Sequence, residues 1–132
     1  MKKPEEKVLL YQFSEEKAAD IKAALRRLGI QAAVLEQSAW NERVGFLLGI
    51  KGFSKGTAAG EPVDFSHEAA IFHNIKNKRL DQVLQALKDA GVGHVQFKAV
   101  TTPFNLHWTL CRLCRTIYKE HAYMMEKDEM KE

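Results

Sequence analysis

One pattern occurs twice in this chain, and it limits the possible folds more than any other feature. Residues 8–35 begin with the apolar run Val8-Leu9-Leu10-Tyr11-Gln12-Phe13, continue through an amphipathic stretch, and end at Gly29-Ile30 and Ala32-Ala33-Val34-Leu35. A shift of 62 positions, Leu9 to Ile71, brings the pattern back. Leu10 then falls on Phe72, Ile21 on Val83, Ala24-Leu25 on Ala86-Leu87, Gly29-Ile30 on Gly91-Val92 and Leu35 on Phe97. A self-match at fixed offset marks a repeated supersecondary unit. Each copy reads as strand, helix, glycine stop and strand. The expectation is a tandem internal duplication, with halves at about residues 7–52 and 69–126 and a linker over 53–68.

Local signals place the elements. Ser14 can accept from the first free N–H groups of a helix whose first turn holds Glu15 and Glu16. Ala18, Ile21, Leu25 and Leu28 recur at helical spacing, and Gly29 provides the left-handed stop. In the second copy Lys78–Ala90 reads as a helix with Leu80, Val83, Leu84 and Leu87 inward. Val95, Phe97 and Ala99 alternate with polar neighbours as on a strand with one dry face. Asn41 and Asn105, matched across a two-residue insertion, stand where they can cap a further helix in each copy, the second running from Leu106 to about Met125. Residues 53–68 hold the long Gly-rich connector, the expected mobile segment, and Glu126–Glu132 form a charged tail expected to fray.

With 132 residues there is room for one domain, 1–132, and one shared core. The expected class is α+β: a ferredoxin-like four-stranded sheet in which Val8–Phe13 and Ala69–Ile75 pair antiparallel at the centre, with extra helices. The alternative is an α/β doubly wound parallel sheet. The net charge of +3, with both signs interspersed, argues against a nucleic-acid partner. No apolar run reaches the length of a membrane span, and the charged N-terminus lacks the apolar core of a signal peptide. Two cysteines one helical turn apart cannot staple a secreted scaffold. A cytoplasmic location follows as the expectation.

Around Lys98-Ala99-Val100-Thr101-Thr102-Pro103-Phe104-Asn105-Leu106-His107-Trp108 the chain resembles a small bacterial family known as domain of unknown function three-seven-eight-three. The likeness rests on Ala90-Gly91-Val92, Lys98-Ala99-Val100, Thr102-Pro103, Asn105 and Trp108, and spans about residues 69–125. It implies boundaries but no activity.

Three constellations carry candidate chemistry. Lys98, Thr102, Asn105 and Trp108 sit where a strand end feeds a helix start, a place that gathers free N–H groups and favours an anion. The structural reading is that Asn105 caps, Pro103 shapes the turn and Trp108 packs. His107, Cys111 and Cys114 lie at four- and three-residue steps, but structural zinc sites draw on separate elements, which argues against metal here. The glycines at 49, 52, 56 and 60 fail the phosphate-loop spacing. His67, His73 and His94 have no nucleophile or carboxylate at catalytic spacing. The sequence therefore leads to a non-enzymatic cytoplasmic interaction or regulatory module without a cofactor. It would bind a protein partner or itself through a last helix carrying Trp108, Tyr118, Tyr123, Met124 and Met125. A small-molecule or anion binder, or small enzyme, using the Lys98–Asn105 corner is the alternative.

Overall fold

The computed structural model describes residues 5–55, 62–93 and 95–130, with 123–130 as helical backbone alone. Gly56 and Gly60 of the connector, His94, the side chains of Tyr123, Met124 and Met125, and the last two residues lie outside the described residues. Strand β1 (Lys7–Tyr11) leads to helix α1 (Glu15–Arg27) and strand β2 (Gln31–Leu35). A 3-10 turn (Gln37–Asn41) and a single helical turn, α2 (Val44–Leu47), follow. Then come β3 (Ala69–His73), α3 (Asn77–Asp89), β4 (Phe97–Val100), a second 3-10 turn (Asn105–His107) and α4 (Leu110–Met130).

The fold is α+β, built on one four-stranded mixed sheet in the order β2-β1-β3-β4. β1 and β3 pair antiparallel at the centre, which excludes the all-parallel alternative. β2 lies parallel beside β1, and β4 parallel beside β3. Each unit thus keeps its own two strands adjacent, unlike the split βαβ units of a ferredoxin-like sheet.

Alternation along the central strands loads both faces. Val8, Leu10, Ala70 and Phe72 bury against α1 and α3 through Ile21, Leu25, Val83 and Leu87. Leu9, Tyr11, Ala69 and Ile71 bury on the opposite face with Trp40, Val44, Phe65 and the inner side of α4. Both faces are covered, so these strands read as continuous apolar runs. Phe65, in the connector expected to be mobile, is fixed in this second layer.

The two units stand in a two-fold relation. Leu9 is 62 positions from Ile71, its own cross-strand partner, so the axis passes through that pair. The helices keep the offset, Glu15 to Asn77 and Arg27 to Asp89. Gly29 and Gly91, at the same offset, end them in left-handed geometry. After the helices the offset becomes 66, because the connector lengthens from 28–30 in the first unit to 90–96 in the second. Lys7 pairs with Gln31 while Ala69 pairs with Phe97, so Gln31, and not Leu35, is the counterpart of Phe97. Val95 lies before the strand and joins the α1/α3 side, whereas Phe97 and Ala99 face α4.

The same axis recurs in the layer over the sheet. Arg43 and Thr109, 66 apart, form an isolated antiparallel bridge. Val44 N–H donates to the Trp108 carbonyl and Leu110 N–H to the Glu42 carbonyl, each at 2.9 Å. The expected second helices therefore begin later than the asparagines suggest. Asn41 and Asn105 belong to 3-10 turns, α2 starts at Val44, and Thr109 Oγ1 accepts from Arg112 N–H at the start of α4.

A matched pair of latches closes the central strands. Gln12 and Asn74, 62 apart, both take positive φ, 64° and 59°. The Gln12 amide donates to the Phe65 and His67 carbonyls at 2.6 and 3.2 Å. The Asn74 amide donates to the Glu5 carbonyl at 2.8 Å. Asparagine tolerates left-handed backbone, whereas glutamine costs about 1–2 kcal/mol there. Gln12→Ala keeps that cost and loses both bonds, so urea unfolding should show a loss of about 1–3 kcal/mol. Gln12→Gly relieves the backbone and should lose less. A glycine variant less stable than the alanine variant would contradict this account of the latch.

Candidate functional site

The segment after β4 is built by its own side chains. Thr102 Oγ1 accepts from Phe104 N–H and Asn105 N–H at 3.2 and 3.0 Å, and Asn105 Oδ1 accepts from Thr102 N–H at 2.7 Å. This is the reciprocal logic of a capping box, with asparagine in place of the longer Glu or Gln. Pro103 fits the first position of such a turn, where no N–H is needed. Asn105 Nδ2 donates to the Val100 carbonyl at 3.1 Å, tying the turn to the end of β4. Asn105 is only 7% exposed. The N–H groups an anion would seek at this corner are already taken by Thr102 and Asn105.

Lys98 does not join them. On β4 it alternates with Phe97 and Ala99, which face α4, so Lys98 points to the α3 side. There its ammonium donates to the Val95 carbonyl at 3.0 Å and lines a cavity with Lys88 and Leu84. Trp108 is half-buried against the α4-side core, and the Arg112 guanidinium lies 4.1 Å from its ring centre. The four candidate ligand residues thus divide between two faces of the sheet.

His107, Cys111 and Cys114 also separate. His107 is exposed in the 3-10 turn before α4, its ring 5.1 Å from that of Phe53 and its carbonyl accepting from Arg43 Nη1. Cys111 and Cys114 are buried among Leu110, Leu113 and Ile117, and no disulfide joins them. Burial, reinforced by Cys111, pushes the Cys114 thiol up to about 12, so it stays protonated and unreactive. Among the described residues no three His, Cys, Asp or Glu side chains gather as a metal site would require.

Two arrangements were invisible at the level of spacing. His73 Nδ1 lies 2.8 Å from Thr101 Oγ1. The β3–β4 register, Phe72 to Val100, makes the next residues neighbours although 28 positions separate them. Thr101 N–H also donates to the Phe72 carbonyl, so the pair closes the sheet end. Among the described residues no carboxylate hydrogen bond orients the imidazole, as a base activating a hydroxyl would need. The second arrangement is aromatic. His67 stacks on Tyr118 at 5.6 Å and tilts over Phe97 at 4.8 Å, beside Phe65. His67, Tyr118 and Phe65 wall an open groove of about 370 Å³ with Lys119 and the Arg115–Asp64 ion pair, whose atoms approach to 2.9 Å.

Burial lowers the His73 pKa, opposed by Glu5 and assisted by Lys7. The unfolded chain therefore binds a proton that the folded chain resists. Stability should fall as pH drops below the ordinary histidine value of about 6.5, until the folded-state value is passed. His73→Gln should flatten that slope in urea titrations between pH 7 and pH 5, and an unchanged slope would contradict the assignment. Asn105→Ala strands buried partners and should cost about 2–3 kcal/mol in the same assay. A cost under about 0.5 kcal/mol would remove Asn105 from its structural role.

Residues 68–124 match the family described as "Domain of unknown function (DUF3783)". No curated protein and no solved structure matches the chain.

Proposed function

Residues 68–124 match the family DUF3783, and we propose that this chain is a non-enzymatic protein-interaction or regulatory module whose docking element is the C-terminal half of α4. The observation that carries this reading is a mismatch of lengths. The 21 residues of α4 span about 31 Å at 1.5 Å per residue, whereas a five-residue strand spans about 17 Å. Among the described residues the buried positions of α4 end at Ile117, and His121 still touches the Phe97 ring. Tyr118 is 47% exposed although it stacks on His67 and Phe97. In sequence Tyr118, Ala122 and Met125 follow at i, i+4 and i+7, the anchor spacing of a helix laid into a groove. Tyrosine and methionine are enriched at the centres of interfaces.

The partner is a protein or a second copy of the chain. A bacterial cytoplasm is the proposed setting, supported by two buried cysteines that form no disulfide. No described helix is long and apolar enough to cross a membrane. We read the two units as copies of one ancestral strand–helix–strand piece, on the support of the constant helix offset and the shared axis at Leu9 and Ile71. An anion held between Lys98 and Asn105 has less support, since the corner's donors are used internally and Lys98 faces away.

A photoreactive phenylalanine analogue placed at Tyr118 in living cells should give one discrete cross-linked species, and the same analogue at exposed Lys22 on α1 should give none. Tyr118→Ala should weaken the isolated complex about tenfold or more, the scale of an interface anchor. Absence of an adduct at 118, or equal adducts at both positions, would overturn the docking role of α4.

A further inference from the structure

The two units keep a constant offset of 62 positions through their first strands and helices and then part company. The first unit passes from α1 to β2 through residues 28–30, and the second takes 90–96 between α3 and β4. The four added residues (seven minus three) are matched by changes on the flanking elements. Lys98 stands opposite Ala70 on β3, whereas the position opposite Val8 on β1 is Ala32. On the helices Leu84 occupies the place of exposed Lys22. The second unit has gained an apolar side chain on its helix, a cation on its strand and a longer connector between them.

These changes meet in one cavity of about 630 Å³, within the size range of small-ligand sites. Leu84, Leu87 and Val95 provide its apolar wall, with Leu87 and Val95 buried. Lys88, Lys98, Gln85 and Asp81 supply its polar lining, with Asp81 two helical turns from Lys88 on α3. The Lys98 ammonium donates one of its three N–H groups to the Val95 carbonyl, which holds the charge at the cavity and leaves two donors for a guest. An aliphatic wall lined also by two lysines, against one carboxylate, is complementary to an amphipathic monoanion.

We propose that the cavity between α3 and β4 is a binding site for a small carboxylate with an aliphatic body, whose head group lies between Lys88 and Lys98 and whose chain lies along Leu84, Leu87 and Val95. This site is on the opposite face of the sheet from α4 and stands or falls independently of the docking role given to that helix.

The probe is sodium octanoate, titrated into the full chain while backbone amide resonances are followed by NMR. Saturable shifts should map to Leu84, Leu87, Val95 and Lys98 with a single site per chain. Lys98→Met keeps the apolar stem and removes the charge, and Lys88→Ala lies on an exposed helix position that leaves the fold intact. Each should weaken octanoate about five- to tenfold. Leu84→Lys, which restores the residue of the first unit, should abolish saturable binding. Octylammonium should bind far more weakly than octanoate, and inorganic phosphate alone should not saturate. Equal binding of octanoate and octylammonium would overturn the proposal, as would saturation by phosphate alone. Shifts centred on α4, or the lack of any saturating response, would do the same.

Discussion

The antiparallel pairing of β1 with β3 is the contact on which the rest of the molecule depends. Both strands are apolar on both faces, so neither tolerates an edge position or a wet face. Pairing them places Leu9 against Ile71 on the two-fold axis and sends alternate residues into two separate layers. The less buried β2 and β4 are left at the margins, where an edge strand of modest hydrophobicity is cheapest to expose. A one-residue slip would turn Leu9 and Ile71 toward the wrong layer, and the latches at Gln12 and Asn74 guard against it at both ends.

With the centre fixed, polar residues that resemble a site become part of the scaffold. Thr102, Pro103 and Asn105 close the turn after β4, and His73 with Thr101 finishes the sheet end. Thr109 starts α4, and its bridge to Arg43 joins the units in the layer above the sheet. In each case the donors and acceptors are spent within the chain. What remains for function is what the two-fold relation does not explain: the length of α4 and the cavity opened by the longer α3–β4 connector.

Much of this was legible in the residues. The apolar runs at Val8 and Ala69 fall within central strands, and α1 follows its signals from the Ser14 cap to the Gly29 stop. The antiparallel meeting of the opening strands was likewise readable from their double-sided hydrophobicity. The position of the outer strands was not, because periodicity says which residues face inward but not beside which neighbour a strand lies. Gln31, Ala33 and Leu35 carry no mark that distinguishes pairing with β1 from pairing with β3. The corner residues separate for a related reason. Lys98 and Asn105 are close in sequence, yet strand alternation sends Lys98 to the other face. His73 and Thr101 are distant in sequence, and only the register joins them. The offset change from 62 to 66 was hidden by a chance apolar match of Leu35 to Phe97.

Native-state amide hydrogen exchange reads the shared interior most directly. If β1 and β3 hold one cooperative unit together, the amides of Leu9, Leu10, Ile71 and Phe72 should open with a single free energy, the highest in the molecule and equal to that of global unfolding. Slow exchange confined to β3 and α3, with β1 and α1 opening at distinctly lower free energy, would mean that the halves are separate bodies and would contradict the account.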